Sequence, residues 1–435
     1  MSKITQPFGA SPTLVQIAGC HSDYDPHALP VALAQRIIGD FVKPVEAIEK
    51  VALRSALGRV LAESMVSPID VPAYDNSAMD GFALRSADLG DSDVTLQVIG
   101  TAWAGRSFDG QVAAGQCVRI MTGAIMPAQC DAVVAQEFVT TEVGNAVCVP
   151  AHAVVAGENR RLCGEDLETG SIALAKGRLL HPADLGLLAS LGIAEVPVQR
   201  RLRVAFFSTG DELRSVGQTL DAGCVYDSNR YTLYGMLVRL GCDVIDMGVV
   251  KDDRDSLEAA LRTACENADA IITSGGVSVG AADYTREIMG KLGDVDFWRI
   301  GMRPGRPMAF GRINSNGHCA YLFGLPGNPV AVMVTFYFLA RQGLLQMMGT
   351  DASPLPLLQA ISRGPIRKKI GRTEYQRGIL AADAQGRPTV SVTGAQGSGI
   401  LRSMVEANCM IVLHDAQGPV ATGDLVDILL FDGLT

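Results

Sequence analysis

The chain has 435 residues, too many for a single hydrophobic core, so its length predicts roughly two to four domains. Hydrophobic residues make up 48% and charged residues 19%, which is typical of a globular protein and excludes a disordered chain. The formal net charge of -9 argues against non-specific binding to nucleic acid, because that binding needs a basic surface.

The start of the chain and the apolar runs along it indicate neither export nor membrane insertion. Residues 1–19 lack the basic start and long apolar core of a secretory signal, and no run of about 18 uncharged apolar residues occurs. The cysteines form no C-x-x-C pair and none stands at zinc-ligand spacing from a histidine, so reduced thiols are expected. We therefore expect a cytoplasmic protein that binds neither a membrane nor nucleic acid.

The first 200 residues change from helical to β-rich character and back. Apolar spacing predicts helices over residues 31–41 and 45–61, after a loose extension at residues 1–27. Short Val- and Ile-rich runs then predict a small β domain over residues 67–150. A further helix is predicted over residues 182–191, which suggests that the β-rich segment is inserted into a helical domain.

The centre of the chain alternates strands with helices, which predicts a parallel sheet with helices on both faces. The predicted strands cover residues 202–207, 243–249 and 270–273, and helices over residues 229–240 and 254–267 separate them. After Pro354 the helical pattern stops, and short strands between turns predict a small β-barrel or sandwich.

These patterns predict a multi-domain α/β protein with a central doubly wound α/β domain, a β-rich inserted domain, an N-terminal helical linker domain and a C-terminal β-barrel-like domain. The predicted bounds are 1–27 for a flexible N-terminal extension, 28–66 plus 151–200 for the helical, mixed linker domain, 67–150 for the β-rich insertion, 201–352 for the α/β domain and 353–435 for the C-terminal β domain.

Two glycine-rich loops follow predicted strands of the central domain, where ligands bind in parallel sheets. Their glycines let backbone N–H groups approach a ligand, and the start of the next helix favours an anion. Neither loop is a Walker A sequence, and a tight turn explains either one alone, but two in one array favour a phosphate site. The residues of these loops are Ser208, Thr209, Gly210, Ser274, Gly275, Gly276 and Ser278.

A cationic turn follows, in which Arg299, Arg303 and Arg306 stand within eight residues among prolines. Arginine grips oxyanions in a planar fork, so this stiff turn favours anion recognition over the alternative of solvated surface charge.

A proline- and glycine-rich turn precedes an apolar helix predicted over residues 330–340, which is too short to span a membrane. Asn328 and Pro329 fit a helix start, whereas Pro326 and Gly327 before them fit a close approach of the backbone to a ligand.

Acidic residues lie beside several of these turns. Carboxylates near phosphates usually indicate Mg²⁺, although any single one of them fits a turn or cap residue better than a ligand, and at most two or three could share one ion. The candidates are Asp75, Asp80, Asp166, Asp252, Asp253 and Asp283.

Together these blocks resemble the molybdopterin molybdenumtransferase (MoeA) family, whose eukaryotic relative is the C-terminal domain of gephyrin. The resemblance covers roughly residues 30 to 430. The matching blocks are PAYDNSAMDGFA (72–83), RIMTGA (119–124), GED (164–166), FSTGDEL (207–213), YDSNR (226–230), SGGVSVGAAD (274–283), PGRP (304–307), GLPGNP (324–329), QRG (376–378) and QGS (396–398).

The resemblance implies an enzyme that inserts molybdate into adenylylated molybdopterin and releases AMP in a Mg²⁺-dependent reaction, with a MogA-like central domain. It also implies a homodimer whose active sites are built from both subunits, and a transient MogA-like molybdopterin adenylyltransferase partner. The implied catalytic residues are Asp80, Asp166, Glu212, Asp252 and Asp283. The implied metal ligands are Glu212, Asp252 and Asp283, and the implied anion contacts are Thr122, Arg377 and Ser398.

One departure stands out, because Arg299, Arg303 and Arg306 occupy positions where well-known bacterial members carry lysine. Arginine can replace lysine if these positions only bind anions, because it keeps the positive charge. A role in giving up a proton would be put in doubt, because arginine does not lose its proton in proteins. Three alternatives stay open: a molybdopterin adenylyltransferase, which shares the α/β fold but is a single domain; a non-catalytic scaffold that binds a partner; and a general nucleotide hydrolase.

Overall fold

The computed structural model describes residues 12–142, 144–277 and 283–433. The chain forms two compact units. The larger comprises Met1–Glu49, Gly58–Ala62 and Pro197–Thr435, and the smaller comprises Lys50–Leu57 and Glu63–Val196. The five domain bounds drawn from the sequence stay a prediction.

The helices and strands have the following bounds. The helices are α1 (Leu14–Gly19), α2 (Val31–Phe41), α3 (Pro182–Ser190), α4 (Ser228–Arg239), α5 (Arg254–Asn267), α6 (Asp283–Leu292), α7 (Pro329–Thr335), α8 (Arg341–Met347) and α9 (Arg402–Glu406). The strands are β1 (Ile48–Ala52), β2 (Met65–Val66), β3 (Asn76–Ser77), β4 (Gly81–Leu84), β5 (Val94–Ala102), β6 (Gln116–Ile120), β7 (Ala132–Ala135), β8 (Thr140–Glu142), β9 (Ala146–Val149), β10 (Arg160–Arg161), β11 (Ile172–Leu174), β12 (Glu195–Gln199), β13 (Arg203–Thr209), β14 (Leu213–Arg214), β15 (Val225–Tyr226), β16 (Asp243–Val250), β17 (Ala270–Ser274), β18 (Gly293–Arg299), β19 (Met302–Arg303), β20 (Pro307–Ser315), β21 (His318–Leu325), β22 (Leu358–Ser362), β23 (Thr373–Ala382), β24 (Pro388–Val392), β25 (Cys409–Leu413) and β26 (Leu425–Leu430).

The smaller unit is built around a six-stranded sheet with the order β7-β4-β6-β5-β9-β8. Its strands pair antiparallel except for β5 and β6, which run parallel. Successive residues of a strand point to opposite faces, so Phe82 and Leu84 enter one apolar core while Ala83 enters another. The β-rich character predicted for this part of the chain is confirmed.

The larger unit contains a six-stranded mixed sheet with the order β16-β13-β17-β21-β20-β18. The first four strands are parallel, and β20 and β18 complete the sheet antiparallel. Val204 and Phe206 of β13 pack in a core with α2, α4 and α7, whereas Ala205 and Phe207 pack in a second core with α5 and α6. Helices therefore cover both faces of the sheet, as the alternating pattern predicts for a doubly wound domain.

One helix of the larger unit is longer than the sequence predicts. α7, a π-helical turn at Phe336–Ala340 and α8 form one 19-residue helix, Pro329–Met347, where residues 330–340 were expected. Among the described residues it is the one helix long and apolar enough to cross a membrane, but 67% of its apolar 18-residue segment is buried inside the protein. Val330, Leu339 and Leu344 all lie in the main core, so burial rather than short length indicates a core helix.

The C-terminal strands close into a barrel. Their order is β19-β23-β24-β22-β26-β25, and β25 also pairs with β23, so five strands form a ring with β19 added outside β23. Ala360, Val390, Ile411 and Ile428 fill its interior. The barrel is confirmed, although the expectation that helices end at Pro354 misses the short helix α9.

Two expectations for the N-terminal part are corrected. Residues 45–61, expected as a helix, contain β1, which pairs with β12, and a short 3₁₀ turn at Leu53–Ala56. The Leu53 N–H donates to the Ala194 carbonyl at 2.8 Å, so pairing with a distant strand overrides the local apolar spacing. Part of the predicted loose extension also packs in place, since α1 buries Leu14 in the core of the larger unit. With these corrections, the predicted multi-domain α/β class is confirmed.

Candidate active site

Polar loops of the larger unit follow four neighbouring parallel strands. Residues 210–212 follow β13, residues 251–253 follow β16, residues 275–277 follow β17 and residues 326–328 follow β21. The carboxyl ends of parallel strands meet at one edge of a sheet, which is where ligands bind in such folds. The structure therefore brings the two glycine-rich loops and the turn before α7 to the same edge.

Buried polar atoms around this edge lack hydrogen-bond partners among the described residues. Unpaired buried polar groups are rare in folded proteins because each one costs free energy, so several in one place indicate a site for a polar ligand. The atoms are Ser208 Oγ, Thr209 Oγ1, Thr273 Oγ1, Thr285 Oγ1, Asp227 Oδ2 and Asn229 Oδ1.

The loop after β17 depends on glycine for its shape. Gly275 and Gly276 have φ angles of +96° and +70°, a region that side-chain-bearing residues rarely adopt. A Cβ on Gly275 would lie 2.6 Å from the Thr209 carbonyl oxygen, and one on Gly276 would lie 3.1 Å from Thr209 Oγ1. The two strand-end loops are therefore in close contact, and only glycine allows this approach.

Replacing Gly275 with alanine is expected to lower the free energy of unfolding by about 2 kcal/mol, through the strained φ angle and the clash with Thr209. Urea denaturation measures this change. Gly290→Ala is the matched control, because Gly290 lies within α6 with no atom near its would-be Cβ and should be neutral or stabilising. Equal unfolding midpoints for the two variants would contradict the assigned loop geometry.

Asn229 joins the loops, and the sequence reasoning did not single it out. Its Nδ2 donates to Ser274 Oγ at 2.8 Å and to the Gly327 carbonyl at 2.6 Å. The side chain is 8% exposed, at the start of α4. It lies within the YDSNR block, which was the signal available in the sequence.

The predicted acids of the larger unit lie beside this edge. The Tyr284 hydroxyl donates to the Asp252 carboxylate, and the Asp252 N–H reaches Asp211 Oδ1 at 3.5 Å. Burial and the hydrogen bond to Asp252 raise the pKa of Tyr284 to about 12, so its hydroxyl stays protonated at neutral pH and donates this hydrogen bond. The Glu212 carboxylate folds over Gly210, where a Cβ would meet it at 2.6 Å. Asp211 and Tyr284 were missed, and they stand next to predicted residues.

Two predicted residues lie at the gap between the described residues 277 and 283. Ser278 lies outside the described residues, and for Asp283 the structure describes the backbone at the start of α6. Asp253, the other acid after β16, is the N-cap of α5 and accepts from the Ser256 N–H at 2.9 Å, so its role is structural.

The acids fit a divalent ion that arrives with its substrate. Within residues 12–142, 144–277 and 283–433, no cluster of three or more Asp, Glu, His or Cys side chains has the geometry to hold a metal alone. Mg²⁺ needs only one or two carboxylates when phosphate oxygens and water supply its other ligands. Asp252, with Glu212 on the neighbouring loop, is compatible with that arrangement.

A buried arginine lies where the barrel meets the start of α7. Arg377 is 1% exposed, and its described partners are neutral: Nε donates to Ser403 Oγ at 2.9 Å and Nη2 to the Gly397 carbonyl at 3.1 Å. Burial, and then the nearby charge of Arg303, lower the pKa of Arg377 to about 10, so it stays charged at neutral pH.

Ser398 connects this region to the long helix. Its carbonyl accepts from the Val330 N–H at 3.0 Å, which places the QGS turn at the positive end of α7. Asn328 is the N-cap as predicted, but its exposed side chain makes no capping bond and is available to a ligand. Arg377, Ser398 and the turn before α7 are therefore brought together.

The three arginines of the cationic turn are placed differently from one another. Arg299 ends β18, and its backbone binds Pro26 and Leu29. Arg303 is exposed and lies 3.9 Å from Glu374 of the barrel. Arg306 is exposed, and its carbonyl accepts from the Ile300 N–H at 2.7 Å.

The smaller unit holds the remaining predicted residues. The backbone N–H and hydroxyl of Thr122 both donate to Asp80 Oδ1 at 2.7 Å, and these bonds hold the pKa of the Asp80 carboxyl below its usual range. Asp166 is exposed, and its N–H donates to the Val71 carbonyl at 3.0 Å. Asp75 pairs with Arg160 and is a structural residue that ties two loops together.

Three family profiles match the chain in succession. They are the MoeA N-terminal region (domains I and II) over residues 29–192, a probable molybdopterin-binding domain over residues 205–346 and the MoeA C-terminal region (domain IV) over residues 359–431. A molybdopterin molybdenumtransferase of Haemophilus influenzae is 42% identical over 387 residues, which span 89% of this chain and 94% of the relative. The chain belongs to the MoeA family.

Further relatives agree with this assignment. A molybdopterin molybdenumtransferase of Bacillus subtilis is 33% identical over 409 residues, which span 92% of this chain and 94% of the relative. The crystal structure of a molybdopterin biosynthesis MoeA protein from Pyrococcus horikoshii matches with a TM-score of 0.79 at 28% identity, over 93% of this chain and 100% of that one. The MoeA architecture therefore extends over nearly the whole chain.

The MoeA profiles also place the candidate residues. The N-terminal profile contains Asp80, Thr122 and Asp166, the molybdopterin-binding profile contains the strand-end loops, and the C-terminal profile contains Arg377 and Ser398. The strand-end loops of this MoeA protein thus lie within the profile described as a probable molybdopterin-binding domain.

Proposed function

We propose that this protein inserts molybdate into adenylylated molybdopterin and releases AMP in a Mg²⁺-dependent step. The observation that carries the proposal is the pairing of two anion-binding features in the larger unit. One is the glycine-lined strand edge with its unpaired hydroxyls, and the other is the buried Arg377 guanidinium with neutral partners. The turn before α7 belongs to both, since Asn229 binds the Gly327 carbonyl and Ser398 binds the Val330 N–H.

The strand edge suits the phosphate-bearing substrate. The hydroxyls of Ser208, Thr209 and Ser274, with the backbone N–H groups of Gly275 and Gly276, would bind phosphate and pterin groups. Bound Mg²⁺ would supply charge neutralisation at the phosphoanhydride, with Asp252, Glu212 and Asp283 as its proposed protein ligands. Holding the reactants in a fixed geometry then accounts for much of the rate.

The cationic region suits molybdate, a tetrahedral dianion. Arg303 and Arg377 present guanidinium groups, and the positive end of α7 adds a partial charge beside Ser398. Arg299 and Arg306 keep the positive charge that lysine would supply, which is sufficient for binding an anion. We also propose that Asp80, Thr122 and Asp166 of the smaller unit contact substrate.

The test is to add purified protein to adenylylated molybdopterin with Mg²⁺ and to follow AMP release with and without molybdate. Molybdate-dependent release supports the proposal. If AMP is released equally without molybdate, the protein is a hydrolase. If it instead transfers AMP from ATP to molybdopterin, it is an adenylyltransferase. If it binds the ligand and releases no AMP, it is a scaffold. Omitting Mg²⁺, or replacing it with Ca²⁺, tests the metal.

The proposal includes a cytoplasmic homodimer that receives its substrate from a MogA-like adenylyltransferase. The support is the family resemblance. Sedimentation equilibrium gives the oligomeric state, and a mass near that of a single 45.9 kDa chain would contradict the dimer. The handover is tested by measuring whether adenylylated molybdopterin passes from the partner enzyme to this protein without mixing with free substrate in solution.

A further inference from the structure

Glu374 is a buried carboxylate whose two oxygens have different surroundings. Oε1 accepts from Arg372 Nε at 2.9 Å and from the Lys369 N–H at 3.3 Å. Oε2 has a long contact of 3.4 Å from Gln376 Nε2 and lies 3.9 Å from Arg303 Nη1. Glu374 is 2% exposed, so Oε1 is held by two hydrogen bonds while Oε2 has one long hydrogen bond and faces Arg303.

Glu374 is charged despite its burial. Burial alone would raise its pKa, but the Arg372 hydrogen bond, the Lys369 N–H and the charges of Arg372 and Arg303 outweigh it and hold the pKa below the usual range. The carboxylate therefore stays ionised at neutral pH and attracts Arg303.

The backbone fixes which residues face each other here. β19 runs parallel to β23, and Arg303 is the register partner of Glu374. The Arg303 side chain is nevertheless 58% exposed, and a separation of 3.9 Å is an ion pair without a hydrogen bond. Arg303 is thus held near Glu374 by charge and remains free to turn towards another anion.

Arg377 lies three residues along the same strand and has only neutral described partners. Arg377 points to the opposite face of β23 from Glu374, but its pKa is lowered by the charge of Arg303, so Arg303 lies close to both residues. Gly305, in the turn that carries Arg303, packs against α7, since a Cβ there would lie 2.3 Å from Thr335 Oγ1. The turn is anchored, so movement of Arg303 is confined to its side chain.

We propose that Glu374 is a positioning residue of the oxyanion subsite, which holds the Arg303 guanidinium when the subsite is empty and competes with bound molybdate for it. This inference rests on the proposed function, which assigns Arg303 and Arg377 to molybdate. The competition makes molybdate binding weaker and its release faster than the two arginines alone would give. Removing the charge of Glu374 should therefore tighten binding.

The experiment measures molybdate binding to the full chain by calorimetry, with sodium molybdate alone as the probe. Glu374→Gln should lower the dissociation constant about 3- to 10-fold, as expected from removing one negative charge near the site at moderate screening. The KM for molybdate should fall in parallel, while the KM for adenylylated molybdopterin should not change. In an Arg303→Gln background, the same substitution should lose most of its effect, because its partner is absent.

Asp383→Asn is the matched control, since Asp383 is an ion-paired carboxylate just past the other end of β23 and should leave molybdate affinity unchanged. If Glu374→Gln does not fold, Glu374→Asp keeps the test open, because the shorter side chain keeps its charge but draws the carboxylate away from Arg303 by one methylene. That variant should tighten binding about twofold.

The outcomes separate the inference from the proposed function. Wild-type protein that binds no molybdate overturns both. Wild-type binding that depends on Arg377, together with unchanged or weaker binding in a folded Glu374→Gln variant, overturns the positioning role alone and leaves Glu374 as a structural residue of the barrel.

Discussion

Asp252→Ala is expected to lower molybdate-dependent AMP release at least about 100-fold. Asp252 stands at the carboxyl end of β16, and its carboxylate is held by the Tyr284 hydroxyl beside the glycine-rich loops. If Asp252 binds the metal as proposed, its loss would remove charge neutralisation at the phosphoanhydride worth several kcal/mol, and each ~1.4 kcal/mol is a factor of ten in rate. Single-turnover AMP release over a range of Mg²⁺ concentrations measures the effect, and the Mg²⁺ requirement should rise.

Asp255→Asn provides the matched control, because Asp255 is an exposed carboxylate in the first turn of α5 and should be silent. Tyr284→Phe removes only the donor that orients Asp252, and we expect a loss of about tenfold, as for other residues that orient a metal ligand. An Asp252→Ala variant with more than a tenth of wild-type activity would show that Asp252 does not bind the metal.

Arg377→Gln is expected to raise the KM for molybdate about 10- to 100-fold and to leave the KM for adenylylated molybdopterin unchanged. A charge-assisted hydrogen bond to an anion contributes about 1.5–3 kcal/mol, and glutamine is polar but lacks the charge. Steady-state kinetics with each substrate varied in turn gives the two KM values separately.

The separation of the two KM values decides between a binding and a structural role for Arg377. Its bonds to Ser403 and Gly397 also support the barrel, so the thermal midpoint is measured alongside. Arg363→Gln, at an exposed arginine after β22, controls for loss of charge in general. An equal rise in both KM values, or none, would remove Arg377 from the molybdate subsite.

The alternation of strands and helices in the central domain was predictable because it is a local pattern. Strands β13, β16 and β17 and helices α4 and α5 lie within two residues of the predicted bounds. The loop at Gly275 and Gly276 was also predictable, because glycine adopts positive φ angles readily and other residues do not. Parallel strands place their carboxyl ends at one edge, so the pattern also predicted that the loops after these strands would lie together.

Residues 45–61 show where local pattern fails. Their apolar spacing suits a helix, yet β1 forms because β12, far along the chain, offers a pairing partner. The length of the Pro329–Met347 helix was also underestimated, since the core around α2 and α4 makes a continuous apolar helix favourable beyond residue 340.

The sequence by itself determined the family, the fold class and the residue types that suit a phosphate and an oxyanion, because these depend on composition, periodicity and short motifs. Only the tertiary structure decided which of those residues act together. Asn229 meets Ser274 and Gly327, Arg377 meets Ser403, and Glu374 meets Arg303 through contacts between segments that no local pattern relates. Such contacts arise when the chain packs its cores, and packing also sets the burial that makes an unpaired hydroxyl or a guanidinium with neutral partners a binding group.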